Sequence, residues 1–429
     1  MRRVPGWAPA GLFVAAAALS ASWLAGGSAA AQPDQEQPSK KDKGGAPAPR
    51  GPNDFAWALF RKVASKEKGN LVFSPFSIRT ALSMVHAGAR GRTAEQMAQV
   101  LCLPTHSRRR LGRVGMALVG LLAKLRPPAG GGQVEWRVAN GLWVQKGRQV
   151  RPEFVAFLRD TYGARAAEVD FVRARPAARK AINTWVAKRT RNHITQVLPP
   201  GVLDPLTRFV VTNAVYFKGE WASRFPKANT QNMPFHLRRG VRATVPMMSQ
   251  THTFAYLAGP GFRALDMPYK GGDLSMIVLL PGKPFALADL CKALTAERLK
   301  ALLARLRDTT AKVRVYLPRF TLACALRPKR ALHEMGMRDA FSPSKADLTG
   351  ISRRRPLWLD LVAHEACIEV SEEGTKAAAA TAVSGIFDAE AAAREPKTIV
   401  FRADQPFLFL IRHKRTGGIL FIGVVTNPK

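Results

Sequence analysis

Two serines and one histidine have side-chain types that nucleophilic hydrolysis uses: Ser74, Ser77 and His364. A hydrolase serine lies on a Gly-x-Ser-x-Gly turn, beside a base and a third group that orients the base. Ser74 instead precedes Pro75, an arrangement typical of a helix N-cap followed by the first helical residue. His364 stands alone in an apolar run, where a histidine is more often a structural core residue than a catalyst. We therefore predict structural roles for all three residues.

The sequence offers no other catalytic centre. It contains no metal-ligand cluster, no triad spacing and no nucleotide-binding loop. The four cysteines, Cys102, Cys291, Cys324 and Cys367, are far apart and fall in apolar or strand-like runs, which favours buried free thiols over disulfides. We therefore expect a protein that is not an enzyme and that needs neither a metal nor a cofactor.

The stretch 366–406 alternates like a strand and then contains four consecutive alanines. An alanine run is typical of a helix, but this one has no stripe of larger apolar residues with which a helix could dock. In a strand, alternate side chains share a face, and one face here would be small and mostly apolar. Such a strand can enter between two existing strands without forcing apart a close-packed interior. The two faces are Thr375, Ala377, Ala379, Thr381 and Val383 on one side, and Lys376, Ala378, Ala380 and Ala382 on the other.

The residues around this run resemble the reactive-centre loop of the serpins. The resemblance implies an exposed loop over about 372–405, with Gly374 permitting a bend and Glu372 anchoring the top of a strand. It also implies that the cleaved loop enters a sheet as an extra strand and releases strain stored in the fold. The residues similar to the proximal hinge of inhibitory members are Glu372, Glu373, Gly374, Thr375, Ala377, Ala378, Ala379 and Ala380.

Motifs elsewhere extend the resemblance to about 53–429. The run 209–221 (Phe-Val-Val-Thr-Asn-Ala-Val-Tyr-Phe-Lys-Gly-Glu-Trp) is similar to the serpin pattern almost letter for letter, and 70–97 is also similar. The resemblance implies that polar residues hydrogen-bond beneath the centre of the main sheet, where two strands part, and that Trp221 lies where the loop first enters. The residues matched to these regions are Ser74, Ser77, Asn140, Asn213, Trp221 and His364.

The predicted fold class is therefore α+β. The resemblance implies the serpin fold, with three β-sheets, about eight or nine helices and an exposed reactive-centre loop. The apolar run 209–221 is the pattern expected for a strand buried on both faces. Apolar periodicity predicts one helix over 181–197, with Asn192 in a left-handed cap, and one helix over 286–306.

The resemblance implies an inhibitor of serine, or also cysteine, endopeptidases that acts as a suicide substrate. A protease would cleave the loop, form a covalent acyl-enzyme and travel with the loop as it inserts. Counting seventeen residues from Glu372 places the scissile bond at Asp388–Ala389, and Phe387 and Arg394 are the alternative sites. The fifteen residues from Gly374 to Asp388 would carry the protease about 50 Å, at about 3.3 Å per residue.

A second function also fits the resemblance: a serpin fold used only for binding. Thr375 and the small residues after it favour inhibition, because a bulky or charged hinge could not enter the sheet. Lys376 departs from the acidic residue usual in the family, but it faces outward on the predicted strand. The sequence therefore favours inhibition over binding alone.

The N-terminal residues predict export. Arg2 and Arg3 precede a short apolar run at 12–19 and small residues at 28–30, the layout of a secretory signal peptide over 1–31. Residues 32–52 are rich in Pro, Gln, Lys and Gly and predict a disordered linker before a serpin domain at 53–429. We expect a secreted, monomeric protein without a membrane-spanning segment.

The chain has a formal net charge of +36. Such a field attracts polyanions, for example acidic polysaccharide, but the charge is spread along the chain, which favours an ordinary solvated surface. No pattern indicates specific nucleic-acid binding. The candidate clusters are Arg108-Arg109-Arg110, Arg238-Arg239, Arg353-Arg354-Arg355, and Lys188-Arg189 with Arg191.

Overall fold

The computed structural model describes residues 51–103, 120, 134–373 and 398–429, all within one compact unit. Eight α-helices and fourteen β-strands lie entirely within these described residues. The helices are α1 (Pro52–Ala64), α2 (Pro75–Gly88), α3 (Gly91–Leu101), α4 (Pro152–Tyr162), α5 (Arg175–Arg189), α6 (Leu287–Ala293), α7 (Ala296–Arg307) and α8 (Lys329–Glu334). Short 3-10 turns add Lys227–Asn229 and Asp339–Phe341.

The strands form one five-stranded and one nine-stranded sheet. The strands are β1 (Leu71–Phe73), β2 (Val134–Gln145), β3 (Arg165–Val169), β4 (Phe209–Gly219), β5 (Gln231–Arg238), β6 (Val241–Gly259), β7 (Phe262–Pro268), β8 (Leu274–Pro281), β9 (Ala311–Pro318), β10 (Phe320–Leu326), β11 (Leu361–Val370), β12 (Ile399–Arg402), β13 (Phe407–His413) and β14 (Ile419–Val425). The smaller sheet has the order β10-β11-β4-β2-β3. The larger has the order β1-β14-β13-β8-β7-β6-β9-β12, with β5 also beside β6.

The long strand β6 divides the larger sheet into two arrays. Its first part pairs with β5 and β9, and its last residues pair with β7. With the five-stranded sheet, the described residues therefore form three arrays of strands. The predicted α+β class and its three sheets are confirmed.

Two helix predictions were wrong in their bounds. The helix predicted over 286–306 is two helices, because Thr295 has an extended backbone and its hydroxyl caps α7 by accepting the Arg298 N–H at 3.2 Å. The helix predicted over 181–197 is α5, which ends at Arg189. It cannot continue, because Arg191 and Asn192 adopt left-handed conformations with φ of 52° and 63°. The predicted left-handed Asn192 is thus confirmed.

Strands β4 and β11 lie side by side in the middle of the five-stranded sheet and run parallel, paired from Leu361 opposite Val210 to Glu369 opposite Lys218. We call this junction the seam. Residues 209–217 of β4 are all buried, as its apolar run predicted. On one face, Phe209 and Val211 pack in the cluster that contains α2. On the other, Val210, Ala214 and Tyr216 pack in the cluster that contains α5. Helices α2 and α5 therefore lie on opposite faces of the sheet that contains the seam.

Candidate functional site at the seam

Three polar side chains form a row across three neighbouring strands. His364 on β11 is opposite Asn213 on β4, and Asn213 is opposite Asn140 on β2. His364 Nδ1 lies 2.6 Å from Asn213 Oδ1, and Asn213 Nδ2 donates a hydrogen bond of 2.5 Å to Asn140 Oδ1. All three residues are buried. One bond of this row, His364–Asn213, crosses the seam and adds to the backbone ladder.

The start of α2 is bonded to both strands of the seam. The Ser74 N–H donates to His364 Nε2 at 3.1 Å, and Asn213 Nδ2 donates to Ser77 Oγ at 2.6 Å. The Ser74 hydroxyl caps the helix by accepting the Ser77 N–H at 3.0 Å and donates to the Leu420 carbonyl at 2.7 Å. The structure thus brings together five of the six matched polar and aromatic residues. Because α2 is bonded to both strands, their separation would break the Asn213–His364 bond and strain the bonds from Ser74 and Ser77.

The protonation of His364 follows from its two partners. Its Nε2 accepts from a backbone N–H, so the ring hydrogen is on Nδ1 and is donated to Asn213. Complete burial, with a smaller contribution from the charge of Arg327, lowers the pKa of His364 to about 3. The ring is therefore neutral near pH 7. Because the Ser74 hydroxyl donates to Leu420 and not to His364, these residues do not form a nucleophile–base pair.

The last residue pair of the seam, at what we call its upper end, is a charged pair that no sequence pattern indicated. Glu369 and Lys218 are opposite each other across the seam and form an ion pair. The Tyr216 hydroxyl also donates to Glu369 Oε2 at 3.2 Å, and the ring of His193 stacks on Tyr216 at 3.6 Å. His193 belongs to the segment that follows α5, so this segment covers the upper seam.

The residues that follow β11, 371–373, are held in place by side-chain contacts. Trp221, stacked on Tyr269, donates from its indole Nε1 to the Ser371 carbonyl at 2.9 Å. The buried Glu372 carboxylate accepts from the Thr230 hydroxyl at 2.8 Å and lies 3.6 Å from Arg319.

Glu373 extends the same anchor. Its carboxylate lies 2.5 Å from Lys227 Nζ, and the hydrogen bond from Lys227 lowers the pKa of Glu373. The contacts of Trp221, Glu372 and Glu373 fix where the predicted loop begins.

The remainder of the predicted loop lies outside the described residues. Beyond Glu373, the next described residue is Thr398, which is followed by β12. The predicted hinge and scissile residues outside the description are Gly374, Thr375, Ala377, Ala378, Ala379, Ala380, Phe387, Asp388, Ala389 and Arg394.

The basic clusters named from the sequence are spread over different elements. Arg354 donates to the Gly147 carbonyl, Arg355 pairs with Asp347, and Arg191 pairs with Glu135. Arg108-Arg109-Arg110 lies outside the described residues. Some of these arginines are therefore already engaged with groups of the fold itself.

The four cysteines are free thiols, with Cys367 buried and the other three half-buried. Burial raises the pKa of Cys102, Cys291 and Cys367 to about 11. In the described part of the chain, no group of His, Cys, Asp and Glu residues could hold a metal ion. The described helices include none with the length and apolarity needed to cross a membrane.

Comparison with known proteins gives one consistent result. The family described as Serpin (serine protease inhibitor) matches residues 50–428. An uncharacterized serpin-like protein of Thermococcus kodakarensis is 40% identical over 377 residues, which are 88% of this chain and 85% of that protein. Serpin B8 of Homo sapiens is 39% identical over 377 residues, covering 87% of this chain and 97% of that protein.

Solved structures agree. Arabidopsis AtSerpin1 in its native stressed conformation has a TM-score of 0.78 at 32% identity, over 88% of this chain and 97% of that one. Uncleaved ovalbumin has a TM-score of 0.77 at 29% identity, over 87% of this chain and 98% of that one. The sequence motifs, the three arrays of strands and these matches lead to one conclusion: the chain belongs to the serpin (serine protease inhibitor) family.

Proposed function

We propose that this chain inhibits serine endopeptidases as a suicide substrate, by loop cleavage, acyl-enzyme formation and insertion of the cleaved loop at the seam. The observation that supports this most directly is the parallel pairing of β4 and β11, with the predicted hinge anchored at the end of β11. Relatives 38–39% identical to the chain are named leukocyte elastase inhibitor, in Sus scrofa and Homo sapiens, and support the same inhibitor class.

The direction of the strands supports insertion. A segment that leaves the end of β11 and turns back at Gly374 runs antiparallel to β11. Because β4 is parallel to β11, the same segment also runs antiparallel to β4. Insertion would replace one parallel pair by two antiparallel pairs, which are slightly more stable per residue. The closed seam is then a stressed state, and insertion would relax it.

Insertion requires that the seam first open. The backbone ladder from Leu361 to Glu369 would break, together with the Asn213–His364 hydrogen bond and the Lys218–Glu369 ion pair. These contacts delay relaxation until cleavage frees the loop. The incoming face of small residues, Thr375, Ala377 and Ala379, would then enter the close-packed layer without a bulky or charged side chain.

The chemistry at the loop belongs to the protease. Its nucleophile would attack the scissile carbonyl, release the new amino terminus and remain as an ester on the loop. We place the scissile bond in the neighbourhood of Phe387–Ala389, with Asp388–Ala389 given by the residue count. Asp388 would suit a protease that prefers acidic residues. Phe387 would suit chymotrypsin-like or subtilisin-like proteases, Ala389 elastase-like ones and Arg394 trypsin-like ones.

The test is incubation with a panel of such endopeptidases. We expect a covalent complex that survives SDS, and N-terminal sequencing of the released fragment gives the bond. Chain nicked by a protease that forms no complex should unfold at a higher temperature than intact chain, because the loop has inserted. The proposal would be abandoned if no complex formed and the two forms melted together. A fold used only for binding would give that result.

We also propose that the chain acts outside the cytoplasm, as the N-terminal layout predicts. Expression of the full chain in a bacterial host with an export pathway tests this. Mature protein found outside the cytoplasm should begin near Gln32. If the protein were found only in the cytoplasm and still carried residues 1–31, the proposal of export would be contradicted.

A second candidate function is polyanion binding. Arg208 and Arg354 lie near Arg148. Burial, followed by the charges of these two arginines, lowers the pKa of Arg148. Guanidinium groups clustered in this way suit sulfate or phosphate groups. Salt elution from heparin–agarose tests it, because replacement of Arg148 and Arg354 by glutamine should lower the eluting salt concentration. Replacement of Arg61 and Arg305 by glutamine is the matched control.

A further inference from the structure

The array that follows the predicted loop has an unusual charge distribution. The strands β5, β6, β9 and β12 contain no Asp or Glu. Strand β12 is the first described strand after the loop and pairs with β9 along its whole length. The basic residues of these strands are Arg238, Arg242, Lys312, Arg314 and Arg402. This array therefore presents positive charge beside the point where the loop returns to the fold.

Four residues of β9 and β12 form a contiguous patch on one face of this array. Arg314 is opposite Val400, and Tyr316 is opposite Arg402. Their neighbours on the other face, such as Val315 and Phe401, are buried in the core. Arg314 is exposed, Val400 is 49% exposed, and Tyr316 and Arg402 are half-buried. We call Arg314, Tyr316, Val400 and Arg402 the 314–402 patch.

The patch holds two guanidinium groups in place by stacking both on one ring. The guanidinium carbons of Arg402 and Arg314 lie 4.5 Å and 5.6 Å from the centre of the Tyr316 ring. Among the described residues, neither arginine forms an ion pair. Stacking on a shared ring reduces the side-chain entropy that binding would otherwise remove. Two like charges held together in this way favour an anionic partner, and the arginine fork suits carboxylates.

We propose that the 314–402 patch docks the target protease, and that this protease carries carboxylates beside its substrate cleft. The inference rests on the proposed inhibitory function, because a protease bound at Asp388–Ala389 would be at most ten residues of chain, about 33 Å, from Thr398, which precedes β12. The patch then acts before cleavage. It raises the rate of encounter through charge attraction, and it selects among proteases that accept the same loop sequence.

The test compares two charge reversals of equal size. The variant Arg314→Glu/Arg402→Glu alters the patch, and the control Arg61→Glu/Arg305→Glu alters exposed residues of α1 and α7. The probe is the panel protease that forms the SDS-stable complex with unaltered chain. At about 50 mM salt we expect the patch variant to associate at least about tenfold more slowly than the control, with the difference largely lost at about 500 mM. The neutral variant Arg314→Gln/Arg402→Gln should give a smaller loss.

Other outcomes separate the possible errors. Equal association rates for patch variant and control would overturn docking while leaving inhibition intact. If the patch variant lost the same fraction of its association rate with every protease of the panel and at all salt concentrations, the substitutions would have altered how the loop is presented. That result would also overturn docking. Weaker heparin binding without slower inhibition would assign the patch to a polyanion instead. A second test replaces an acidic residue beside the protease's substrate cleft by lysine. If this protease variant restored the association rate of Arg314→Glu/Arg402→Glu, the contact would be established.

Discussion

Asn213 and His364 are direct partners across the seam, with 2.6 Å between Asn213 Oδ1 and His364 Nδ1. Each also contacts the first turn of α2, through Ser77 and Ser74 respectively. One hydrogen-bonded network therefore joins two sheet strands and the helix beneath them. In the proposed mechanism, opening of the seam breaks the Asn213–His364 bond of this network, and the strength of that bond affects how readily the sheet accepts another strand.

Replacement of His364 by leucine should destabilise the intact fold. The change leaves the Ser74 N–H and Asn213 Oδ1 buried without their partner, which we expect to cost about 2–4 kcal/mol. The midpoint of thermal unfolding, followed by circular dichroism, should fall by about 2–5 °C. The control is His333→Leu, the same change at an exposed position of α8. Equal midpoints for the two variants would show that the network does not stabilise the seam.

The network should also make stability depend on pH. The pKa of His364 is lowered to about 3 in the fold from an ordinary 6.5, so the unfolded chain binds an extra proton between these values. Stability from this residue is present above pH 6.5 and is lost as pH falls toward 3, by up to about 1.4 kcal/mol per unit. Urea titrations of unaltered chain and His364→Leu should therefore converge in this window. A constant difference would mean that His364 titrates normally in the fold.

Much of the local structure could be predicted from single residues. Ser74 before Pro75 predicted the cap of α2, and the apolar run at 209–217 predicted a strand buried on both faces. These features depend on neighbours in the sequence, so periodicity and capping chemistry are enough to find them.

The contacts across the seam could not be found in this way. Glu369 and Lys218 are 151 residues apart, and neither has a neighbour in sequence that indicates the other. Their pairing depends on β11 lying beside β4 in one register. The break between α6 and α7 was missed for a different reason: the apolar spacing continues through Thr295, but its hydroxyl caps a new helix.

The Lys218–Glu369 pair should slow the opening of the seam. Both side chains are about one-third exposed, so the pair contributes at most about 1 kcal/mol. In Glu369→Gln, a synthetic peptide with the sequence 375–388 should anneal into the sheet about threefold faster, as followed by a mobility shift on native gels. Glu334→Gln, which removes surface pairs with Lys62, Lys66 and Arg330, is the control. If the reversed pair Lys218→Glu/Glu369→Lys annealed as fast as Glu369→Gln, the pair would have no such role.

An arginine in the predicted hinge should convert the inhibitor into a substrate. Thr375 lies on the face that would be buried on insertion, and a buried, unpaired guanidinium there would oppose entry into the close-packed layer. In Thr375→Arg we expect cleavage at the same bond but at least about tenfold less SDS-stable complex per cleavage, measured by densitometry. Ala378→Arg places the same side chain on the opposite face and should lose less of the complex, because that face of the seam already holds the partly exposed charged side chains of Lys218 and Glu369. Equal losses in both variants would mean that the loop does not enter as a strand with alternating faces.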